Sequence, residues 1–285
     1  MNNVLRTLIY DGQVSLTVAD TSEIVREGIR LHNLSKLSAT VFGRTMSAMT
    51  FMSSCLKNEV GEISLAVKSD GSCEDIAISG NRQLRLRGYI GNPFLDGDTT
   101  LEKQRECLGE NGALTIIRDD GYRRPFVGSC ALLNFGGVDE AFEEYYRISE
   151  QLPTRIATAV EFSEDGTLAF AGVIAVQPLP FADEKTLEEV AALPLTTLLG
   201  ELQQLGVTAC VEKNFLTDKT VWEEREAVYK CNCSREYLTR VLVSLGEEQM
   251  REIIKEDGAV KVHCHYCNTD YSFTDEDADL LFAKE

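Results

Sequence analysis

Several things are missing from this sequence, and each absence narrows the reading. No apolar run approaches the ~20 residues that a membrane-spanning helix needs, so no membrane partner is expected. The opening residues, MNNVLRTLIYDGQ, lack the basic n-region and apolar h-region of a secretory signal. We therefore expect a cytoplasmic chain whose thiols are kept reduced. Basic charge is scarce: 28 Lys and Arg stand against 46 Asp and Glu, a formal net charge of −18. That balance argues against gripping nucleic acid by phosphate neutralisation. There is no Gly-x-x-x-x-Gly-Lys-Ser/Thr loop of the kind that feeds ATP-driven machines. Repeats and low-complexity tracts are absent too. What is left is an acidic globular composition, 44% hydrophobic and 26% charged. The 285 residues suffice for one large domain or two ordinary ones.

The first two-thirds mix strand and helix patterns without regular βαβ succession. This predicts an α+β fold on mixed, mostly antiparallel sheets. LRTLIY and VSLTVAD flank Asp11-Gly12 as a hairpin. A helix is expected from Asp20, with Glu23 three residues on and Ile24, Val25, Ile29 and Leu31 following. A second is expected over roughly Lys36 to Lys57, where Met46, Met49 and Met52 recur at helical spacing and read as core. EISLAVK, DIAIS, QLRLRGYI, ALTIIRD and PFVGSCALL follow as strands. Next come a helix over VDEAFEEYYRISEQL, stopped by Pro153, and two strands around the turn Glu164-Asp165-Gly166. Residues 1–180 are taken as this α+β body.

Residues 181–230 read as a helical connector that packs on something without owning a core. Its short helices break at Pro194 and end near Gly206, and 207–230 shows no strong periodicity. Residues 231–285 form the last unit. SREYLTRVLVSLG is helical, with Ser234 as N-cap and Leu238, Val241, Leu242 and Leu245 on one face. EEQMREIIKEDG is a second helix, AVKVHCHYCNTDYSF a short hairpin with a knuckle at its tip, and a last helix begins near Thr274. About 55 residues is marginal for an unaided core. A bound metal would supply the missing stability.

The metal-binding pattern is explicit. Cys231-x-Cys233 is followed thirty residues later by Cys264-x-x-Cys267. Two close thiol pairs in one small segment supply the four tetrahedral ligands of a structural zinc site. His263 and His265 flank the knuckle and offer an alternative to a thiolate, although a flanking surface role is the plainer reading. The one-residue gap between Cys231 and Cys233 departs from the usual zinc ribbon. A disulfide closing it would be strained, hence readily reduced. Coordinated thiolates stay nucleophilic toward peroxide or hypochlorous acid. Oxidation would cost the unit its metal and its main source of stability. Cys55, Cys73, Cys107, Cys130 and Cys210 lie outside the pattern and read as small buried apolar residues.

CNC, thirty residues, then CHYC resembles the centre of the bacterial redox-regulated holdase chaperones, the 33 kDa chaperonins. DGQVSLTVADTSEIVREGIRLHNLSKLSATVFGRTM, LTIIRDDGYRRPFVG and ISEQLPTRIATAV carry the same resemblance through the body. It implies one zinc per chain on Cys231, Cys233, Cys264 and Cys267 when reduced, and disulfides Cys231–Cys233 and Cys264–Cys267 when oxidised. It further implies a chaperone, not an enzyme, that works without ATP in oxidative and heat stress. Unfolding clients are its partners, the active form is a homodimer, and ATP-dependent foldases take over the clients. Two rivals compete. A zinc-ribbon nucleic-acid-binding or transcription-associated protein is opposed by 17 acids against 10 bases over residues 212–285. A thiol–disulfide oxidoreductase using CHYC is opposed by the hairpin context, since such sites sit where a strand meets a helix.

Overall fold

In the computed structural model, residues 3–132, 137–217 and 219–283 are described. Leu133, the last residue of the strand expected over PFVGSCALL, lies outside them. The chain divides into two units, Met1–Lys230 and Cys231–Glu285.

In the first unit, β1 (Val4–Ile9) and β2 (Val14–Asp20) form the expected hairpin. Gln13 N–H donates to the Tyr10 carbonyl (3.0 Å), and Tyr10, Asp11 and Gly12 all take positive φ. Asp20 does not start α1 (Ser22–His32) but ends β2, and its Oδ1 accepts from Ser22 N–H at 2.9 Å. α2 (Lys36–Ser54) stops short of Lys57, and every residue from Leu37 to Ser54 is buried. A helix buried all round must satisfy its polar side chains internally. Thr40, Thr45, Ser47 and Thr50 do so by donating to carbonyls four residues back, at 2.8–2.9 Å. Met46, Met49 and Met52 are core, as expected.

The chain continues through β3 (Glu62–Lys68), β4 (Ile76–Asn81), β5 (Arg85–Ile90), α3 (Leu101–Leu108), β6 (Ala113–Asp119) and β7 (Phe126–Ala131). α4 (Val138–Tyr145) passes into a π-helical turn, Tyr146–Glu150, rather than running on to Leu152. Tyr145 Oη and Arg118 both hold Glu150 there, at 3.0 and 3.1 Å. Next come β8 (Arg155–Phe162), β9 (Leu168–Pro178), α5 (Glu184–Ala192), α6 (Leu195–Leu205) and α7 (Val207–Asn214). β10 (Glu223–Arg225) and β11 (Val228–Tyr229) complete the unit. α7, β10 and β11 occupy the stretch expected to lack periodicity, and α3 was not expected at all.

Among the described residues, β10-β1-β2-β9-β8 form an antiparallel sheet and β11-β5-β4-β3-β6-β7 a mixed one, in which only β11–β5 is parallel. The fold class is the mixed, mostly antiparallel α+β arrangement predicted. α2 packs on both sheets. Within it, Arg44 donates to Thr158 Oγ1 on β8 (2.9 Å), Gln104 Oε1 on α3 (2.8 Å) and Asp139 Oδ2 on α4 (2.6 Å), tying three elements to one buried cation.

The two faces of the five-stranded sheet have different covers. Side chains alternate along a strand. Ala19, Ala171, Val173 and Ala175 therefore join α1 and α2 in one core, while Leu16, Val18, Ile174 and Val176 point the other way. The second face is closed by Val190 of α5, Leu195, Leu198, Leu199 and Leu202 of α6, and Val211 of α7. Gln13 fastens the start of this cover: its Oε1 accepts from Asp183 N–H (2.8 Å), and Asp183 Oδ1 N-caps α5 through Thr186 N–H (2.8 Å).

The second unit contains α8 (Arg235–Leu245), α9 (Glu247–Asp257), the hairpin β12 (Val260–Cys264) and β13 (Thr269–Phe273), and α10 (Asp275–Phe282). Its core consists of Leu242, Met250, Ile254, Val260, Phe273 and Ala278. Only part of the apolar face predicted for α8 joins it: Leu242 is buried and Leu238 packs alongside, whereas Val241 and Leu245 are exposed.

Candidate metal centre

Ser234 accepts from Tyr237 N–H (3.1 Å) and starts α8, which leaves Cys231 and Cys233 in the extended approach to that helix. Cys264 ends β12, and Cys267 N–H donates to its carbonyl at 3.3 Å. Asn268 then turns the chain into β13 with φ of 52°, a left-handed conformation that Asn tolerates. The two tight segments bring the four sulfurs within 4.8 Å of one another. Cys231 Sγ lies 3.2 Å from Cys233 Sγ and 3.6 Å from Cys264 Sγ, and Cys233 Sγ is 3.1 Å from Cys267 Sγ. A tetrahedral ion with sulfur ligands at about 2.3 Å sets them about 3.8 Å apart. The three close pairs lie within about 0.7 Å of that value and all four sulfurs within 4.8 Å of one another, so the donor set fits a soft divalent cation after small adjustments.

The electrostatics agree. Burial pushes the Cys231 thiol up, and Cys267 rises to about 11, chiefly through burial. Burial acts on Cys233 in the same sense, but hydrogen bonds from the Tyr271 hydroxyl and the neighbouring thiols outweigh it and bring Cys233 to about 7. Of these three thiols Cys233 is the one drawn toward the thiolate. A divalent cation held by the four sulfurs would displace the thiol protons.

Neither histidine joins the sulfurs. His263 Nδ1 pairs with Asp270 Oδ1 (2.7 Å), and its ring meets His265 edge-on at 4.9 Å. Tyr271, whose Oη lies 3.4 Å from Cys233 Sγ, was not singled out from sequence. Its position opposite Val262 in the hairpin, two residues from Cys264, was the available signal. Of the other cysteines, Cys73, Cys107, Cys130 and Cys210 are buried as expected, while Cys55 is half-buried.

Fold and site together define an α+β protein that carries a separate small module built around four cysteines positioned to bind a metal ion. The family model described as "Hsp33 protein" matches residues 2–274. A "33 kDa chaperonin" of Clostridium novyi (strain NT) is 32% identical over 288 residues, covering 98% of this chain and 97% of the relative. Another, of Clostridium perfringens (strain SM101 / Type A), is 31% identical over 298 residues, covering 100% and 92%. The crystal structure of the 33 kDa chaperonin (heat shock protein 33 homolog) from Thermotoga maritima superposes with a TM-score of 0.83 at 26% identity, covering 98% of this chain and 97% of that one. The chain belongs to the Hsp33 family of heat-shock chaperones. Membership implies that it binds client proteins. Among the described residues, no helix is long and apolar enough to cross a membrane.

Proposed function

We propose that the chain is a redox-regulated, ATP-independent holdase. When reduced, Cys231, Cys233, Cys264 and Cys267 hold one zinc ion per chain, which acts as a structural staple. The four-sulfur cluster carries this reading: it is the organising feature of a unit whose own core is six side chains. So small a core supplies little net stability by itself. Peroxide or hypochlorous acid takes two electrons from each cysteine pair. Cys231–Cys233 and Cys264–Cys267 close as disulfides, and the sulfurs no longer serve as anionic ligands. Residues 231–285 then unfold.

Residues 181–230 act as the connector between this switch and the body formed by residues 1–180. Once destabilised, they release the outer sheet face, where Leu16, Val18, Ile174 and Val176 wait beneath α6. That face and the apolar stripe of α6 together capture unfolding clients. The net charge of −18 keeps the complex in solution. The active form is a cytoplasmic homodimer, which passes clients to ATP-dependent foldases after reduction.

The test is zinc content, thiol count and aggregation suppression on one sample, before and after peroxide with mild heat, then after reductant. Loss of one zinc with four thiols, and holdase activity that rises and reverses, is the expected result. Zinc that stays bound with unchanging activity would leave the site a structural staple and favour a zinc-ribbon protein.

A further inference from the structure

Two cysteines far from the tetrad also meet. Cys73, in the loop between β3 and β4, is 0% exposed, and Cys107, in the last turn of α3, is 2% exposed. Cys73 N–H donates to the Cys107 carbonyl at 3.0 Å. With standard bond lengths, that bond keeps the two Cα atoms at most about 7 Å apart. Disulfides span Cα separations of about 4.4–6.8 Å.

The surrounding contacts hold this approach in place. Ser69 Oγ donates to the Leu108 carbonyl (2.9 Å) and accepts from the Cys73 thiol (3.3 Å). On the other side, Asp70 accepts from Asn111 N–H (3.1 Å) and from its side-chain amide (2.8 Å). Gly71 permits the contact, because a Cβ there would lie 2.3 Å from the Cys107 carbonyl oxygen. The residues flanking the pair, Ser72, Glu74 and Glu106, are exposed. Small local openings admit an oxidant the size of peroxide.

We propose that Cys73 and Cys107 are a second dithiol, which closes to a disulfide under the peroxide stress that oxidises the tetrad. One sulfur attacks the peroxide O–O bond to give a sulfenic acid and one water. The second sulfur displaces the sulfenic oxygen, forming the S–S bond and releasing the second water. The two thiol protons leave in the waters, and two sulfur electrons reduce the peroxide. The bond joins the β3–β4 loop to α3, and a cross-link over 34 residues restricts the unfolded chain. Its consequence is opposite to that of the tetrad: it holds the body folded while the small unit is dismantled.

The experiment is peptide mapping of the full chain by mass spectrometry, with and without reductant. Hydrogen peroxide is raised until the half-buried Cys55 reacts, and each cysteine is followed by differential alkylation. The expected result is a cross-linked Cys73–Cys107 peptide and loss of both alkylation signals, reversed by dithiothreitol. C73S should then leave Cys107 alkylatable, and G71A, which pushes the loop from α3, should lower the cross-linked fraction several-fold. Cys73 and Cys107 that both remain alkylatable at that dose overturn the proposal, whatever the tetrad has done. A reduced tetrad beside a closed Cys73–Cys107 bond would instead sink the redox switch proposed above and leave this one standing.

Discussion

If release of the outer sheet face creates the client surface, weakening its cover should bypass the oxidant. Leu202 is the place to try. It is 1% exposed and sits on α6 in the core formed with Leu16, Val18, Ile174 and Val176. Leu202→Ala removes buried methyl groups and leaves a cavity, a loss of about 2–5 kcal/mol. At about 1.4 kcal/mol per decade, the population with α6 detached rises roughly 30- to 4,000-fold. The assay is aggregation suppression by the reduced, metal-loaded variant without oxidant, with the four tetrad thiols counted before and after. We expect activity in reduced Leu202→Ala and none in the reduced parent. Leu205→Ala, at a side chain 43% exposed on the same helix, is the control and should behave as the parent. Hydrogen exchange supplies the check on the reasoning. If α6 amides exchange faster by the predicted factor while the reduced variant stays inactive, detachment of α6 does not uncover the client surface.

Asp139→Ala should destabilise the body by about 3–5 kcal/mol, on the order of 10 °C in Tm, by leaving the buried Arg44 cation without its carboxylate. A thermal melt of the reduced protein measures it. Cys267→Ser should lose zinc binding and leave residues 231–285 open to limited proteolysis, with the first unit resistant. Cys210→Ser, at a buried thiol that donates to the Leu198 carbonyl of α6 (3.7 Å), should leave zinc binding and oxidative activation unchanged; loss of either would place that residue in the switch. Hydrogen bonds from Thr186 and Gln13 hold the Asp183 carboxyl below its ordinary value. A depressed carboxyl stabilises the fold above the ordinary carboxylate range and loses that effect as pH falls through its lowered value. The protection of the first turn of α5, relative to the intrinsic exchange rate at each pH, should therefore fall in acid, and Asp183→Ala should remove that change in protection.

Local signals made much of this fold legible. The β1–β2 hairpin announced itself by alternation around Asp11-Gly12, and α2 by its long helical repeat. The tetrad could be read because ligand spacing is a covalent property of the chain. α3 escaped because its buried face is largely Gln104 and Cys107, with Gln104 inside to receive Arg44, and hydrophobic periodicity does not register a buried amide. Its Thr100 cap and terminal Gly109 were the available signs. β10 and β11 are short and partly polar, and form only because β1 and β5 present open edges to them. The Cys73–Cys107 contact joins residues 34 apart through a loop, so no local pattern encodes it.

The two faces of the five-stranded sheet show how the proposed switch at the far end of the chain would act on one of them and spare the other. The inner face is sealed by α2, which also packs on the second sheet and carries Arg44. Releasing it would dismantle the whole body. The outer face is closed by helices with a single buried stripe, a cover that opens locally at smaller cost. That cover leads into β10, three residues paired with β1, and β11, two residues paired with β5. Lys230 N–H makes a last bond to the Leu86 carbonyl (2.7 Å), and the next residue is Cys231. The four-cysteine segment therefore continues directly from the shortest strands of the body. In the mechanism proposed above, unfolding of residues 231–285 would leave the end of β11 held by its own two pairings alone. On that proposal, fraying would proceed backward through two short pairings before it reached α7 and α6. The coupling so proposed is chain continuity through weak strands.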